Sequence, residues 1–301
     1  MSGCDMEWYV IALASAIFTG IASITEKKTL FKEHAMEYGA VFSLFAFILS
    51  IPFAFFADFS FPPQYWLVLA GVGVVDTIAF LYVTKAIRHM ELSEASPLLT
   101  ISPALAAIFA FLFLGEFLAP QRVVGVGLII VGAYFLEFRN VKKKRKLLYP
   151  FRVMFTSKYI HYIAIGLLLY AVSGVVARYL LATSKTPMDK YAYLFLLHLF
   201  IALTFLVFIH AFHDGWRGIQ HGVHRAGKWI FLTSLLLFSS RAFLIAALTI
   251  PTAKLALILA IKRLSSLFAT VVGGEIFHDS HLPKKIIGCV IMVAGALLVV
   301  L

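Results

Sequence analysis

The chain of 301 residues is 61% hydrophobic and only 14% charged, with a mean hydropathy of +0.93, whereas a soluble domain carries roughly a quarter charged residues. That balance excludes a soluble enzyme or binding module and defines a polytopic membrane protein. A formal net charge of +11 would suit a nucleic-acid partner, but no nucleic-acid module accompanies the basic residues, and the two cysteines, Cys4 and Cys289, give neither a disulfide framework nor a metal spacing.

Ten apolar segments follow in order, near residues 8–25, 38–57, 65–84, 95–115, 122–138, 159–181, 191–212, 229–249, 253–273 and 285–301. Each is about the length a helix needs to cross roughly 30 Å of hydrocarbon. The stretch before the first holds Asp5 and Glu7 but no Lys or Arg, so it lacks the basic region of a secretory signal, and the first helix is expected to be retained. That helix carries Ser15, Thr19 and Ser23 at i, i+4, i+8, a small polar stripe suited to close helix packing or to lining a cavity.

The third segment holds Asp76 at its middle, a position that is costly unless it faces protein or water. The fourth holds Pro97 and Pro103, which remove backbone hydrogen bonds and bend the helix. Between the fifth and sixth segments lies Lys142-Lys143-Lys144-Arg145-Lys146, read as a topology anchor and linker in contact with lipid rather than an RNA site. The seventh connection contains His210, His213, His221 and His224. Two i, i+3 pairs could face one metal, but no Cys, Asp or Glu completes the set at matching spacing, so no metal and no cofactor is expected there. Trp216, Ile219 and Val223 with intervening basic residues predict an interfacial amphipathic helix instead.

Four basic residues lie inside apolar segments: Arg178, Arg241, Lys262 and Arg263. Unpaired in lipid they would oppose insertion by roughly 10 kcal/mol together, so they must face a polar interior. Arg178 is far enough along its helix to snorkel to the interface. Lys262 and Arg263 sit at the centre of the ninth segment and cannot both do so. Lys262, Ser266, Thr270 and Gly274 then form an i+4 stripe that reads as cavity lining, with Arg241 as a neighbour and Asp76 as counter-ion.

The chain also repeats itself. Gly115-Glu116 recurs as Gly274-Glu275 at an offset of 159, and Pro120, Gly125 and Gly132-Ala133 recur as Pro283, Gly288 and Gly295-Ala296 at an offset of 163. A fainter match pairs Thr19-Gly20 with Ser173-Gly174. Five segments per half is an odd number, so the second half must be inverted relative to the first. The predicted organisation is a first five-helix repeat over residues 1–138, a basic cytoplasmic linker over 139–158 and a second repeat over 159–301. Glu116 and Glu275 each end a helix beside a glycine, which predicts a boundary and turn role. The odd-numbered connections hold 18 Lys and Arg against four in the even-numbered ones, which predicts that the odd connections are cytoplasmic and both termini external, in a plasma membrane.

Ser102-Pro103 followed by Phe113-Leu114-Gly115-Glu116, with Gly125 and Gly132-Ala133, and Gly273-Gly274-Glu275, Gly288 and Gly295-Ala296 in the second half, resembles the EamA-like branch of the drug/metabolite transporter superfamily. The resemblance implies ten helices in two repeats and secondary transport of small metabolites or drugs, often export, through a central cavity. The chain departs from it at Lys262, which stands where the first repeat has Pro103, and in its charge bias, since members of that branch are expected to keep both termini inside.

The expected function is secondary transport of a small metabolite bearing an anionic group. Lys262, Arg263, Arg241, Asp76, Ser266 and Thr19 are the candidate substrate-binding residues, and Asp76 is also a candidate acceptor for a coupling proton. The alternative is a flippase for a lipid-linked sugar or lipid, gripping a phosphate head group with the same cations. An interaction protein would have no use for inward charges, and no nucleophile, base and orienting residue stand at enzyme-like spacing. The partners are thus substrate and bilayer, with a homodimer left open.

Overall fold

The computed structural model describes residues 7–30, 34–89, 99, 101–138, 158–265 and 282–300. Among them are ten α-helices and no strand: α1 (Glu7–Leu30), α2 (Ala35–Ala54), α3 (Gln64–His89), α4 (Ser102–Leu114), α5 (Pro120–Phe138), α6 (Lys158–Arg178), α7 (Lys190–Phe212), α8 (Trp216–Leu248), α9 (Leu255–Lys262) and α10 (Leu282–Val300). Five stretches, Ala35–Ala54, Gln64–Ala86, Lys158–Thr183, Lys190–Phe212 and Trp216–Leu248, are long and apolar enough to cross a membrane. The protein is a multi-pass helical membrane protein.

Local chemistry accounts for the helix ends. α4 stops at Gly115, whose φ of 63° is the left-handed conformation that glycine adopts without a steric penalty. The first Gly-Glu of the repeat is therefore a helix stop. Asp189 caps α7 by accepting from the amides of Tyr191 and Ala192. His34 caps α2 by accepting from the amide of Met36; burial, with His213, Arg88 and Lys85 nearby, lowers its pKa against the opposing pull of Glu37, which keeps a lone pair available for the cap.

Three elements differ from expectation. α8 has 33 residues, about 50 Å of helix, and begins at Trp216 rather than near 229. The stretch expected to lie as a separate interfacial helix is its first turns. Gly218 and Gly222 sit on this contact: a Cβ at Gly218 would stand at an ordinary 3.5 Å from Glu37 Cγ, and one at Gly222 at a tighter 3.2 Å from Val41 Cγ2. With no side chains there, α8 lies directly on the start of α2. In the fourth segment, Pro103 stands at the N-terminal end of α4, consistent with its missing N–H; Pro97 lies outside the described residues. In the ninth, α9 ends at Lys262, and Arg263 and Leu264 form a turn.

The helix contacts are reciprocal between the halves. α1 packs on α8 and α6 on α3; α2 meets α8 and α7 meets α3; α4 touches α6 and α9 touches α1; and α2–α7, α4–α9 and α5–α10 pair directly. The α5–α10 contact is built from the repeated glycines. A Cβ at Gly125 would lie 2.8 Å from the Gly295 carbonyl oxygen, and one at Gly132 2.8 Å from that of Gly288. The first glycine of one copy thus meets the last of the other, and small residues let the two backbones touch.

Candidate functional site

Two buried ion pairs join the helices. Arg178, at the end of α6, gives Nε to Glu116 Oε1 at 2.9 Å, Nη1 to the carbonyls of Leu248 and Ile250 at 2.6 and 2.8 Å, and Nη2 to that of Pro251 at 2.9 Å. The other Glu116 oxygen accepts the Leu255 amide at 3.0 Å, which caps the start of α9. After Arg178, α6 widens into a π turn, Tyr179–Thr183. Arg178 therefore does not snorkel; it clamps the end of α8 and the start of α9 to the loop after α4.

The second pair is Asp76 in α3 with Arg241 in α8, Nη1 to Oδ2 at 3.2 Å. It faces a cavity of about 350 Å³ to which both halves contribute: Thr19 from α1, Asp76, Ser102 at the start of α4, Tyr170 and Ser173 from α6, Tyr193 from α7, Arg241, Lys262, Arg263 and Ser265. Arg263 donates from Nε to Ser102 Oγ at 3.0 Å, which ties the turn after α9 to the first residue of α4. Thr19 is shared between packing and the cavity, with Oγ1 2.9 Å from the Ser15 carbonyl and 2.6 Å from Ser240 Oγ. Ser15 Oγ reaches the Ser240 carbonyl at 2.8 Å. The small polar stripe of α1 thus packs against α8, with Ser23 bonded within its own helix to Gly20.

Five of the six residues selected from the sequence, Thr19, Asp76, Arg241, Lys262 and Arg263, line this one cavity. Ser266 lies outside the described residues, as do Thr270, Gly274 and Glu275, so the i+4 stripe is described only at Lys262. Sequence reasoning missed Ser102, Tyr170, Ser173 and Tyr193. Ser102 could have been found in the Ser102-Pro103 motif, and Ser173 in the faint pairing of Thr19-Gly20 with Ser173-Gly174. Among the lining residues Asp76 is the one carboxylate against three cationic side chains, a formal charge of +2 in a site walled mainly by apolar side chains. An excess of positive charge attracts anions, and low surrounding polarity strengthens the attraction.

A helical membrane protein with a charged internal cavity shared by its two halves has the architecture of a transporter. Residues 6–138 match the EamA-like transporter family. The chain is also 26% identical over 137 residues to a Sinorhizobium protein described as an uncharacterized transporter in the cobO 3' region, a match covering 44% of this chain and 97% of that protein. It is similar along 97% of its length to a solved crystal structure, of which it covers 96%, with a TM-score of 0.72 and 15% identity. That last likeness is one of fold. The protein is a membrane transporter.

Proposed function

We propose that the protein is a secondary transporter, working as an exporter, for a small metabolite with a carboxylate or phosphate group, and that Lys262, Arg263 and Arg241 hold that group. Asp76 either takes an amine of the substrate or carries a coupling proton. The observation that carries this reading is the convergence of three cations and one carboxylate on a cavity of about 350 Å³. That volume is near the lower end of the range for small-molecule sites, roughly 300–1,000 Å³, and favours a metabolite over a lipid-linked sugar. The position of Ser102 at the start of α4 adds the positive end of a helix dipole to the same space.

In this reading the ten helices are ten spans arranged as two inverted repeats, residues 1–138 and 159–301, joined by the basic linker 139–158. The supporting features are the reciprocal helix contacts and the crossed glycine contacts of α5 and α10. Alternating access then consists of rocking one half against the other around the cavity. The 18-to-4 distribution of basic residues supports external termini in a plasma membrane, which a protease-cleavable N-terminal tag in intact cells tests directly.

The substrate class is tested by thermal stabilisation of the purified protein against organic anions, cations and neutral solutes. A ligand at about 100 times its dissociation constant adds roughly 2.7 kcal/mol. Carboxylates or phosphates are expected to stabilise the wild type, and the effect is expected to vanish in Arg263→Gln and Lys262→Gln while both variants stay folded. Stabilisation by cations or neutral solutes alone overturns the anion reading.

A further inference from the structure

The corner between α7 and α8 brings together side chains that sequence spacing kept apart. Glu37 stands in the first turn of α2 and is buried. His213 and Asp214 follow the end of α7, where the His213 and Gly215 amides both donate to the Ile209 carbonyl at 3.1 Å. Gly215, at φ 55°, turns the chain sharply into α8. The ligand-capable atoms of Glu37, His213 and Asp214 all lie within 4.8 Å of one another. From α8, His221 adds its Nδ1, 3.2 Å from Glu37 Oε2. The histidine run of the seventh connection lacked a carboxylate at matching spacing; the fold supplies Glu37 from a helix some 175 residues earlier and turns Asp214 in from the loop.

We infer that Glu37, His213 and Asp214, with His221 hydrogen-bonded to Glu37 beside them, form a binding site for a divalent transition-metal ion of the zinc class, separate from the transport cavity. Three observations support it. Tetrahedral zinc with bonds of about 2.0–2.2 Å places neighbouring ligand atoms roughly 3.3–3.6 Å apart; here the His213–Asp214 separation is already 3.5 Å, and Glu37 stands within 4.8 Å of both. His213 Nδ1 is buried and hydrogen-bonded to nothing among the described residues, which is costly for an imidazole nitrogen and is relieved by a metal. Two carboxylates and two neutral imidazoles balance the charge of one dication.

The surroundings fit the same use. The His34 ring packs on that of His213 with centroids 4.5 Å apart, which fixes the imidazole plane. Gly218 borders the ligands, with its Cβ position at contact distance, 3.5 Å, from both Glu37 Cγ and His213 Nδ1. Asp214 and His221 are exposed, with 72% and 54% of their side-chain surface accessible, so an ion can enter from the aqueous side. Bound metal would pin the start of α2 to the α7–α8 corner.

The experiment uses the full chain without a polyhistidine tag, stripped with chelator and titrated with zinc ions by calorimetry and by metal analysis. One zinc per chain is expected, and cobalt in its place should give the intense visible bands of tetrahedral coordination. His213→Ala/His221→Ala should abolish that saturable site. Asp214→Asn, at an exposed position that should not disturb folding, should weaken it by about tenfold or more, since even indirect supports of a metal site are worth that much. Lys262→Gln should bind zinc as the wild type does, which separates this site from the cavity. Equal zinc binding by wild type and the double variant, or a weak octahedral cobalt spectrum, overturns the assignment.

Discussion

Arg178–Glu116 and Asp76–Arg241 are both Arg–carboxylate pairs inside a membrane protein, yet they are finished differently. In the first, both side chains are nearly sealed, at 3% and 7% exposure, and four arginine donor contacts and both carboxylate oxygens are used. In the second, Asp76 is sealed but Arg241 is 31% exposed to a cavity, and Asp76 Oδ1 has no hydrogen-bond partner among the described residues. A saturated pair can only hold structure together. An unsaturated pair at a cavity keeps capacity for a further polar group, as a binding site must.

The largest expected effect is on the sealed pair. Arg178→Met should leave Glu116 and the Leu248, Ile250 and Pro251 carbonyls buried without their partner, at a cost of about 3–5 kcal/mol. Loss of a monodisperse, folded peak in detergent gel filtration, or a large drop in melting temperature, would show it. Survival of Arg178→Met at near wild-type stability would break the distinction between the two pairs. Glu116→Gln keeps shape and one acceptor for the Leu255 amide, so it should fall between Arg178→Met and the wild type.

Asp76→Asn should behave in the opposite way. Its partner Arg241 already faces a cavity, so the loss of stability should be about 1 kcal/mol or less, readable as a small shift in melting temperature. Transport is the sensitive readout. If Asp76 carries the coupling proton, uphill transport should disappear while exchange of substrate for substrate persists, and loss of both would instead make Asp76 part of the substrate grip. A destabilisation as large as that of Arg178→Met would make Asp76–Arg241 a second structural clamp.

The sequence revealed those parts of the molecule that are expensive to place. Asp76, Arg241, Lys262 and Arg263 stood out because a charge in hydrocarbon must have a reason, and all four line the cavity. The hydroxyls of Ser102 and Ser173 did not stand out, because a serine hydroxyl in a helix can bond its own backbone and carries little cost, nor did those of Tyr170 and Tyr193, because a tyrosine ring packs in an apolar segment as any aromatic does. Arg178 was misjudged for a different reason: its partner Glu116 sits in a loop in sequence, and only the fold carries that loop beneath the end of α6. The early start of α8 was hidden because Trp216, Ile219 and Val223 with intervening basic residues read as a separate interfacial helix, whereas here that stretch packs on the start of α2 as the first turns of α8. The glycines of α5 and α10 were legible as a repeat, but that each copy packs on the other required coordinates.

The smallest effect tests the link between the halves across the cavity. Ser102 belongs to the first half and accepts from Arg263 Nε of the second at 3.0 Å, a charge-assisted bond in a polar site that orients the guanidinium. Ser102→Ala removes the acceptor without removing charge or volume, so the fold should be unaffected, and the loss should be about 1 kcal/mol in substrate binding. That corresponds to roughly a fivefold higher dissociation constant for the anion that stabilises the wild type, measured from the ligand dependence of the melting temperature. Restoring the hydroxyl with Ser102→Thr should recover most of it, because a threonine oxygen can occupy the same position. Were Ser102→Ala to bind the anion as tightly as the wild type, Arg263 would be oriented by its other contacts, and the cavity's grip would rest on charge alone.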